Sequence, residues 1–313
     1  MRLALAGDTM LGRGVAERIA ADGPGCVFAP EVVAAAREAD LFVLNLECCI
    51  SERGQPAPGR RFHFRAPPVA TEALAALGAD CVTLANNHAL DFGPEALLDT
   101  FAHLESAGIS WVGAGPDLEA ARAPRVLQAD GFTLGVVAAT DHPDEYAAAA
   151  GQPGVAFADL ARGNLPDWLP RAIGELDADA VLVAPHWGPN MTDEPVAHVR
   201  AVAPRLLEAG ATLVAGHSAH VFHGVGPRLL YDLGDFVDDY IVHRDLRNDL
   251  GLLFLVDLSG DRLEAIPLEL DYAHTRLASG EEFEWVERRF RAACAPFGGK
   301  VSEAEGRLIT TWR

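Results

Sequence analysis

Side chains that bind metals or move protons recur just beyond short apolar runs in this chain. Asp8 comes two residues after the run Arg2–Ala6, and Glu47 two residues after Leu41–Asn45. Asn87 and His88 follow Cys81–Leu84, His186 follows Ala180–Ala184, and His217 and His220 follow Thr212–Ala215. Each has a plain alternative. Asp8 could cap the next helix, Asn86 and Asn87 could be turn residues, and a lone histidine is more often structural. Recurrence at five successive run ends favours chemistry over coincidence. The donor set mixes carboxylate, amide and imidazole without thiolate. Such a set suits Mn, Fe, Zn or Co rather than a structural cysteine–zinc site. A glutamate bridging two cations among oxygen and nitrogen donors describes a two-metal hydrolytic centre.

The elements that must position these groups alternate along the sequence. Arg2–Ala6, Leu41–Asn45, Cys81–Leu84, Ala180–Ala184 and Thr212–Ala215 read as strands. They are apolar throughout rather than alternating, so both faces are buried. Helices are predicted from about Gly12, over Ala70–Leu77, Pro94–Ala107, Pro195–Ala209 and Glu282–Ala293. Val126–Leu127 with Leu134–Ala138 reads as a hairpin, and Leu229–Asp232, Leu252–Asp257 and Leu263–Leu270 as further β segments. Gly54–Arg61 and the stretch from Tyr146 to Gly151 read as loops. The expected class is α/β, with sheets flanked by helices. No linker or repeat divides the chain, so residues 1–313 are expected to form a single domain. In such folds, sites gather beyond the carboxyl ends of the strands, so distant residues would meet in one cleft.

Composition narrows the function classes. Half the residues are apolar and 22% are charged, an ordinary globular mixture. The net charge of −20 argues against a nucleic-acid partner or an anionic membrane surface. A small anionic substrate stays open, because a bound cation reverses the local sign. The five cysteines are odd in number and show no CxxC spacing, which fits a reducing compartment. No run approaches the ~20 apolar residues of a membrane span, and the start of the chain lacks the features of a signal peptide. A cytoplasmic location is therefore expected.

Several segments carry a family resemblance. They are Gly7–Arg13 (GDTMLGR), Asn45-Leu46-Glu47, Phe64–Pro68 (FRAPP), Leu84–Gly93 (LANNHALDFG), His186-Trp187-Gly188 and Gly216–Val221 (GHSAHV). In this order the chain resembles the CapA family, named for poly-γ-glutamate capsule synthesis, of the calcineurin-like metallophosphatase superfamily. The resemblance is clearest over residues 1–240. It implies a metallophosphatase-like two-sheet β-sandwich flanked by helices (α/β/β/α) and one or two divalent metal ions. It further implies Asp8 and His220 at a first metal site, Glu47 as the bridge, and Asn87, His186 and His217 at a second. His88 would act as general acid or transition-state stabiliser. The superfamily usually carries a histidine two residues after the first aspartate, where this chain has Met10. A thioether is a poor ligand for a hard cation, so the first site is expected to be short of donors. Unequal metal affinities, or a single metal, would follow. GHSAH stands where relatives tend to have GHHPH, Pro189-Asn190 where a glutamate tends to follow HWG, and Asp232-Leu233-Gly234-Asp235-Phe236 where SLGNF tends to stand. These departures point to a diverged substrate pocket.

Further residues have two readings each. Arg13 and Arg65 are either clamps for a phosphate or carboxylate, or structural ion pairs. His223 is either a substrate contact or a loop residue. Asp91, three residues after His88, either orients that imidazole or caps the next helix. Trp187 lines the pocket or packs in the core, and Cys48-Cys49 read as buried strand residues. The function expected is metal-dependent hydrolysis of a small phosphoester through metal-activated water. One alternative is amide hydrolysis or acyl transfer on a glutamyl or peptide-like metabolite. Another is a catalytically inactive binding protein on the same fold.

Overall fold

A computed structural model describes residues 1–313. Its strands alternate their side chains between two apolar layers, which explains why the runs are apolar throughout. In Arg2–Thr9, Leu3 and Leu5 face one core while Ala4 and Ala6 face another. In Leu41–Leu46, Leu41 and Val43 share the first of these cores, and Phe42 and Leu44 the second. Ala180–His186 does the same: Leu182 and Ala184 join the shared core, while Val181 and Val183 join a third.

The shared core lies between two sheets. One runs in the order Ser302–Ala304, Arg307–Thr311, Arg262–Asp271, Leu250–Asp257, Arg2–Thr9, Leu41–Leu46, Cys81–Thr83, Ser110–Val112. The other runs Val225–Gly226, Leu229–Leu230, Leu213–Ala215, Ala180–His186, Phe132–Thr140, Arg125–Ala129. Helices Arg13–Asp22, Ala70–Leu77 and Gly93–Ser106 cover the first sheet's outer face through Val15, Ile19, Leu74 and Leu97. Helices Trp168–Gly174 and Ala197–Glu208 cover the second through Leu169, Ile173, Val199 and Val202. The layering is α/β/β/α, as the resemblance implies. No helix is long and apolar enough to cross a membrane.

The Arg125–Ala129 and Phe132–Thr140 strands pair as the expected hairpin. The short helices Pro30–Ala36 and Trp168–Gly174, and the strand Asp235–Val237, have no counterpart in the sequence reading. Helix Gly280–Cys294 sends Val286, Phe290 and Cys294 into the core between the sheets, where Trp312 is also buried. The C-terminal residues thus close the sandwich.

Parallel pairing sets the site. Arg2–Thr9 runs parallel to Leu41–Leu46, and that strand to Cys81–Thr83, so all three end on one edge. The first strand also pairs in parallel with Asp235–Val237, bringing Asp8 opposite Asp235. Ala180–His186 and Leu213–Ala215 run parallel, and a further bridge joins His186 to His217. Gly7 makes the close approach possible: the Asp8 amide donates to the Gly234 carbonyl at 2.8 Å, and a Cβ on Gly7 would lie 1.8 Å from that oxygen. Gly7→Ala is therefore expected to destabilise the fold by about 3 kcal/mol. The check is the urea midpoint, which should fall with an unchanged m-value; a wild-type midpoint would mean that the contact yields easily.

Candidate metal centre

Asp8 is fully buried at the end of the first strand. Its Oδ1 accepts from Asn45 Nδ2 at 2.7 Å and lies 3.5 Å from His217 Nδ1, while Oδ2 lies 3.3 Å from His220 Nδ1. Burial raises the carboxyl, but the imidazoles of His217 and His220 beside it outweigh that and hold Asp8 well below the usual range. Glu47 is also fully buried, with its amide tied to the Thr9 carbonyl at 3.0 Å. Its Oε1 lies 3.7 Å from His186 Nε2 and 3.9 Å from His88 Nε2, and its Oε2 lies 3.9 Å from His220 Nδ1. Neither oxygen has a hydrogen-bond partner. Burial, reinforced by the Asp8 charge, pushes the Glu47 carboxyl well above its ordinary value.

The donors nearby are left open in the same way. Asn87 Oδ1, both ring nitrogens of His186 and His217 Nδ1 are buried without partners. Buried polar groups are nearly always paired, so this concentration of open donors needs a partner of opposite character. A divalent cation fits the donor chemistry. Burial, aided by His142, depresses the His186 pKa well below normal and keeps the ring in its ligand-ready neutral form. Asp8, Glu47 and His220 would hold one cation, and Asn87, His186 and His217, with Glu47 between, a second.

The neighbouring loops serve this cluster. Asn86 donates to Asn45 Oδ1 at 3.0 Å and to the Leu46 carbonyl at 2.8 Å, which locks the turn that presents Asn87 and His88. Asp232 accepts from the Ala219 and Gly234 amides, each at 2.9 Å, and so ties down the loop that carries His217 and His220. Within that loop Ser218 and His220 adopt positive φ of 109° and 58°. Such non-glycine backbone costs on the order of 1–3 kcal/mol per residue and gathers at functional sites.

His88 Nδ1 lies 2.6 Å from Asp91 Oδ2, so Asp91 orients the ring rather than capping the helix, whose N-cap residue is Phe92. Phe64 stacks obliquely on the same ring at 4.0 Å, and its amide donates to Asp91 at 2.8 Å. A cavity of about 280 Å³ opens here, lined among others by His88, His220, Arg13, Phe64, Tyr240 and Asn190. Arg13 reaches it while paired with Asp239 at 2.8 Å. Arg65 and His223 lie outside that lining. The Arg65 guanidinium sits 4.1 Å from the Phe92 ring centroid and donates to the Arg53 carbonyl. His223 bonds the Thr192 carbonyl at 2.9 Å beneath the loop that follows Trp187. Trp187 packs in the outer core, with its Nε1 bound to the Tyr231 carbonyl, and Cys48 and Cys49 are buried.

Three neighbouring groups are not among the site residues expected from the sequence, although Asn190 and Asp235 lie at two of the motif departures noted there. Asp235 Oδ1 lies 2.8 Å from His220 Nδ1. Asn190 Nδ2 lies 3.1 Å from His220 Nε2. Asp141 bonds His142 and lies 3.1 Å from His198 Nε2, and the His142 ring stands 5.1 Å from that of His186. The strand end at Thr140 signals Asp141 in the same manner as Asp8. His198 lies inside a helix and gives no such signal.

Burial lowers the His223 pKa to about 4, against 6.5 when free. Between those values the unfolded chain binds a proton that the folded chain refuses, so stability falls as pH drops from 6.5 towards 4. His223→Gln is expected to remove on the order of 3 kcal/mol of that decline. Urea midpoints measured across this window check it; parallel curves for the two proteins would contradict it.

A two-sheet sandwich between helices is the fold of the calcineurin-like metallophosphatases. A solved structure described as a novel phosphatase, from Mycoplasma pneumoniae, shares the fold with a TM-score of 0.51 at 15% identity, over 87% of this chain and 94% of that one. Within this class the chain belongs to the family described as bacterial capsule synthesis protein PGA_cap, whose sequence profile matches residues 2–240. A probable polyglutamine synthesis accessory protein of Mycobacterium tuberculosis is 33% identical over 290 residues, which is 86% of this chain and 76% of that protein. The PGA biosynthesis protein CapA of Bacillus subtilis is 28% identical over 276 residues, 85% of this chain and 71% of that protein.

Proposed function

We propose that the protein is a metal-dependent hydrolase of a small, anionic phosphoester. The observation that carries this reading is the set of buried, unpartnered donors on Glu47, Asn87, His186 and His217 beside the His88-lined cavity. When bound, divalent cations activate water for attack and offset charge on the phosphoryl oxygens. The chain's own residues do the rest. Asp91 holds His88 Nδ1, which leaves Nε2 on the side of Glu47 as the atom that exchanges a proton with the leaving oxygen. Burial lowers the His88 pKa more than Asp91 raises it. An entering anion favours the imidazolium, and Asp91 supports that charge. Arg13 offers a guanidinium to the anion at the cavity wall. Five free cysteines, four of them buried, favour a reducing, cytoplasmic setting.

The names of the relatives favour a second reading, in which the same centre attacks the amide of a glutamyl or peptide-like metabolite. Profiling separates the two. Phosphomonoesters and γ-glutamyl peptides are offered to chelator-treated protein before and after Mn²⁺ is restored. Metal-dependent phosphate release is expected; metal-dependent amine release alone would select the second reading, and turnover unaffected by chelation would sink both.

A further inference from the structure

Met10 leaves the first metal site short of a donor in the sequence, and its side chain cannot supply one. It is fully buried in the helix-side core, with its sulfur 3.1 Å from the Gly12 amide nitrogen. The shortage is made up from elsewhere. We infer that Asp235 is a direct metal ligand which, with Asp8, Glu47 and His220, completes a four-donor first site and makes the centre binuclear. The inference rests on the metal centre proposed above.

Three observations carry it. The parallel pairing of Asp235–Val237 with the first strand puts Asp235 in register with Asp8, so two carboxylates leave adjacent strands at one level. One ligand atom from each of Asp8, Glu47, His220 and Asp235 lies within 4.8 Å of all the others, the span of a single cation's coordination shell. Asp235 is 2% exposed, yet its Oδ2 has no partner, and both Glu47 oxygens are likewise open.

The bond between Asp235 and His220 suggests a lesser role, in which Asp235 only orients the imidazole. The ring geometry argues against it. An orienting carboxylate binds the ring nitrogen remote from the metal. Here Asp235 meets Nδ1, the same nitrogen that faces Asp8 and Glu47, while Nε2 faces Asn190. Asp235 therefore stands on the metal side of His220. Three carboxylates and one imidazole make an oxygen-rich site suited to Mn²⁺, beside a second site in which His186 and His217 add two nitrogens to the oxygens of Asn87 and Glu47.

The test is Mn²⁺ titration of the metal-free full chain and of Asp235→Asn, followed by calorimetry and by electron paramagnetic resonance. Wild type is expected to take two equivalents and show a spin-coupled pair. The variant should keep one equivalent, with the other weakened at least about 100-fold, beyond the 10–100-fold typical of an orienting partner. Two equivalents in the variant, each within tenfold of wild type, would overturn the assignment of Asp235 while leaving the metal centre intact. No Mn²⁺ uptake by wild type would instead overturn the metal centre itself. An anomalous difference map of Mn²⁺-soaked wild-type crystals serves if the variant does not fold. It should place an Asp235 oxygen within about 2.2 Å of a metal peak; a peak held without Asp235 would refute the inference.

Discussion

Glu47→Gln is expected to lose bound divalent metal while keeping its fold. Glu47 stands between the two groups of donors, nearly equidistant from His186 and His220 at 3.7 and 3.9 Å. Both of its oxygens are buried and without a hydrogen-bond partner, one towards each side. Removing one anionic oxygen should weaken metal binding at least about 100-fold, more than loss of an outer partner does. Stability should move the other way in the metal-free protein. Burial already pushes the Glu47 carboxyl well above its normal range, so a neutral amide suits the empty site as well or better. Thermal unfolding without metal should therefore occur at the same or a higher temperature in the variant. Saturating Mn²⁺ should stabilise wild type by about 4 kcal/mol at a free concentration of about 1,000 Kd, and the variant little. Equal stabilisation of both proteins by Mn²⁺ would remove Glu47 from the centre.

His88→Asn separates chemistry from metal binding. The ring is fixed by Asp91 at 2.6 Å and packed under Phe64, and its Nε2 lies on the Glu47 side. If that nitrogen handles the leaving group's proton, kcat should fall by roughly 10²–10⁴-fold, with metal content unchanged. Asp91→Asn should cause a smaller loss and shift the pH profile, because the imidazolium loses its carboxylate partner. Loss of metal from His88→Asn would make His88 a ligand rather than a proton carrier. Unchanged kcat with full metal content would remove it from the reaction.

Much of this site is legible in the sequence because it depends on local rules. An apolar run followed within three residues by a donor marks a buried strand reaching the sheet edge. Asp8, Glu47, Asn87, His186 and His217 all follow that rule, and parallel pairing brings them to one side. The His88–Asp91 pair is local too, three residues apart within one turn. Asp235 is not legible in this way. Its strand has three residues, Asp235–Val237, and exists because it pairs with a strand more than 200 residues earlier. The Asp141, His142 and His198 group depends on the same kind of long-range docking, between a strand end and a helix. Arg65 sits in a motif of the right composition, but the short strand Arg65–Ala66, paired with Cys49–Ile50, holds its guanidinium against Phe92 instead of in the cavity. Short helices such as Pro30–Ala36 escape notice because seven residues offer too little periodicity. The C-terminal helix was readable as a helix, but its burial of Phe290 between the sheets depends on tertiary contacts alone.

A divalent metal centre at the strand ends is what the buried, open donors of Glu47, Asn87, His186 and His217 require. Metal analysis of the purified protein by inductively coupled plasma mass spectrometry, before and after incubation with Mn²⁺ and removal of the excess, tests it most directly. About two equivalents of Mn, Fe, Zn or Co per chain are expected. Protein that holds no metal even after incubation would contradict the account, leaving the buried donors to be explained as part of a binding site without catalysis.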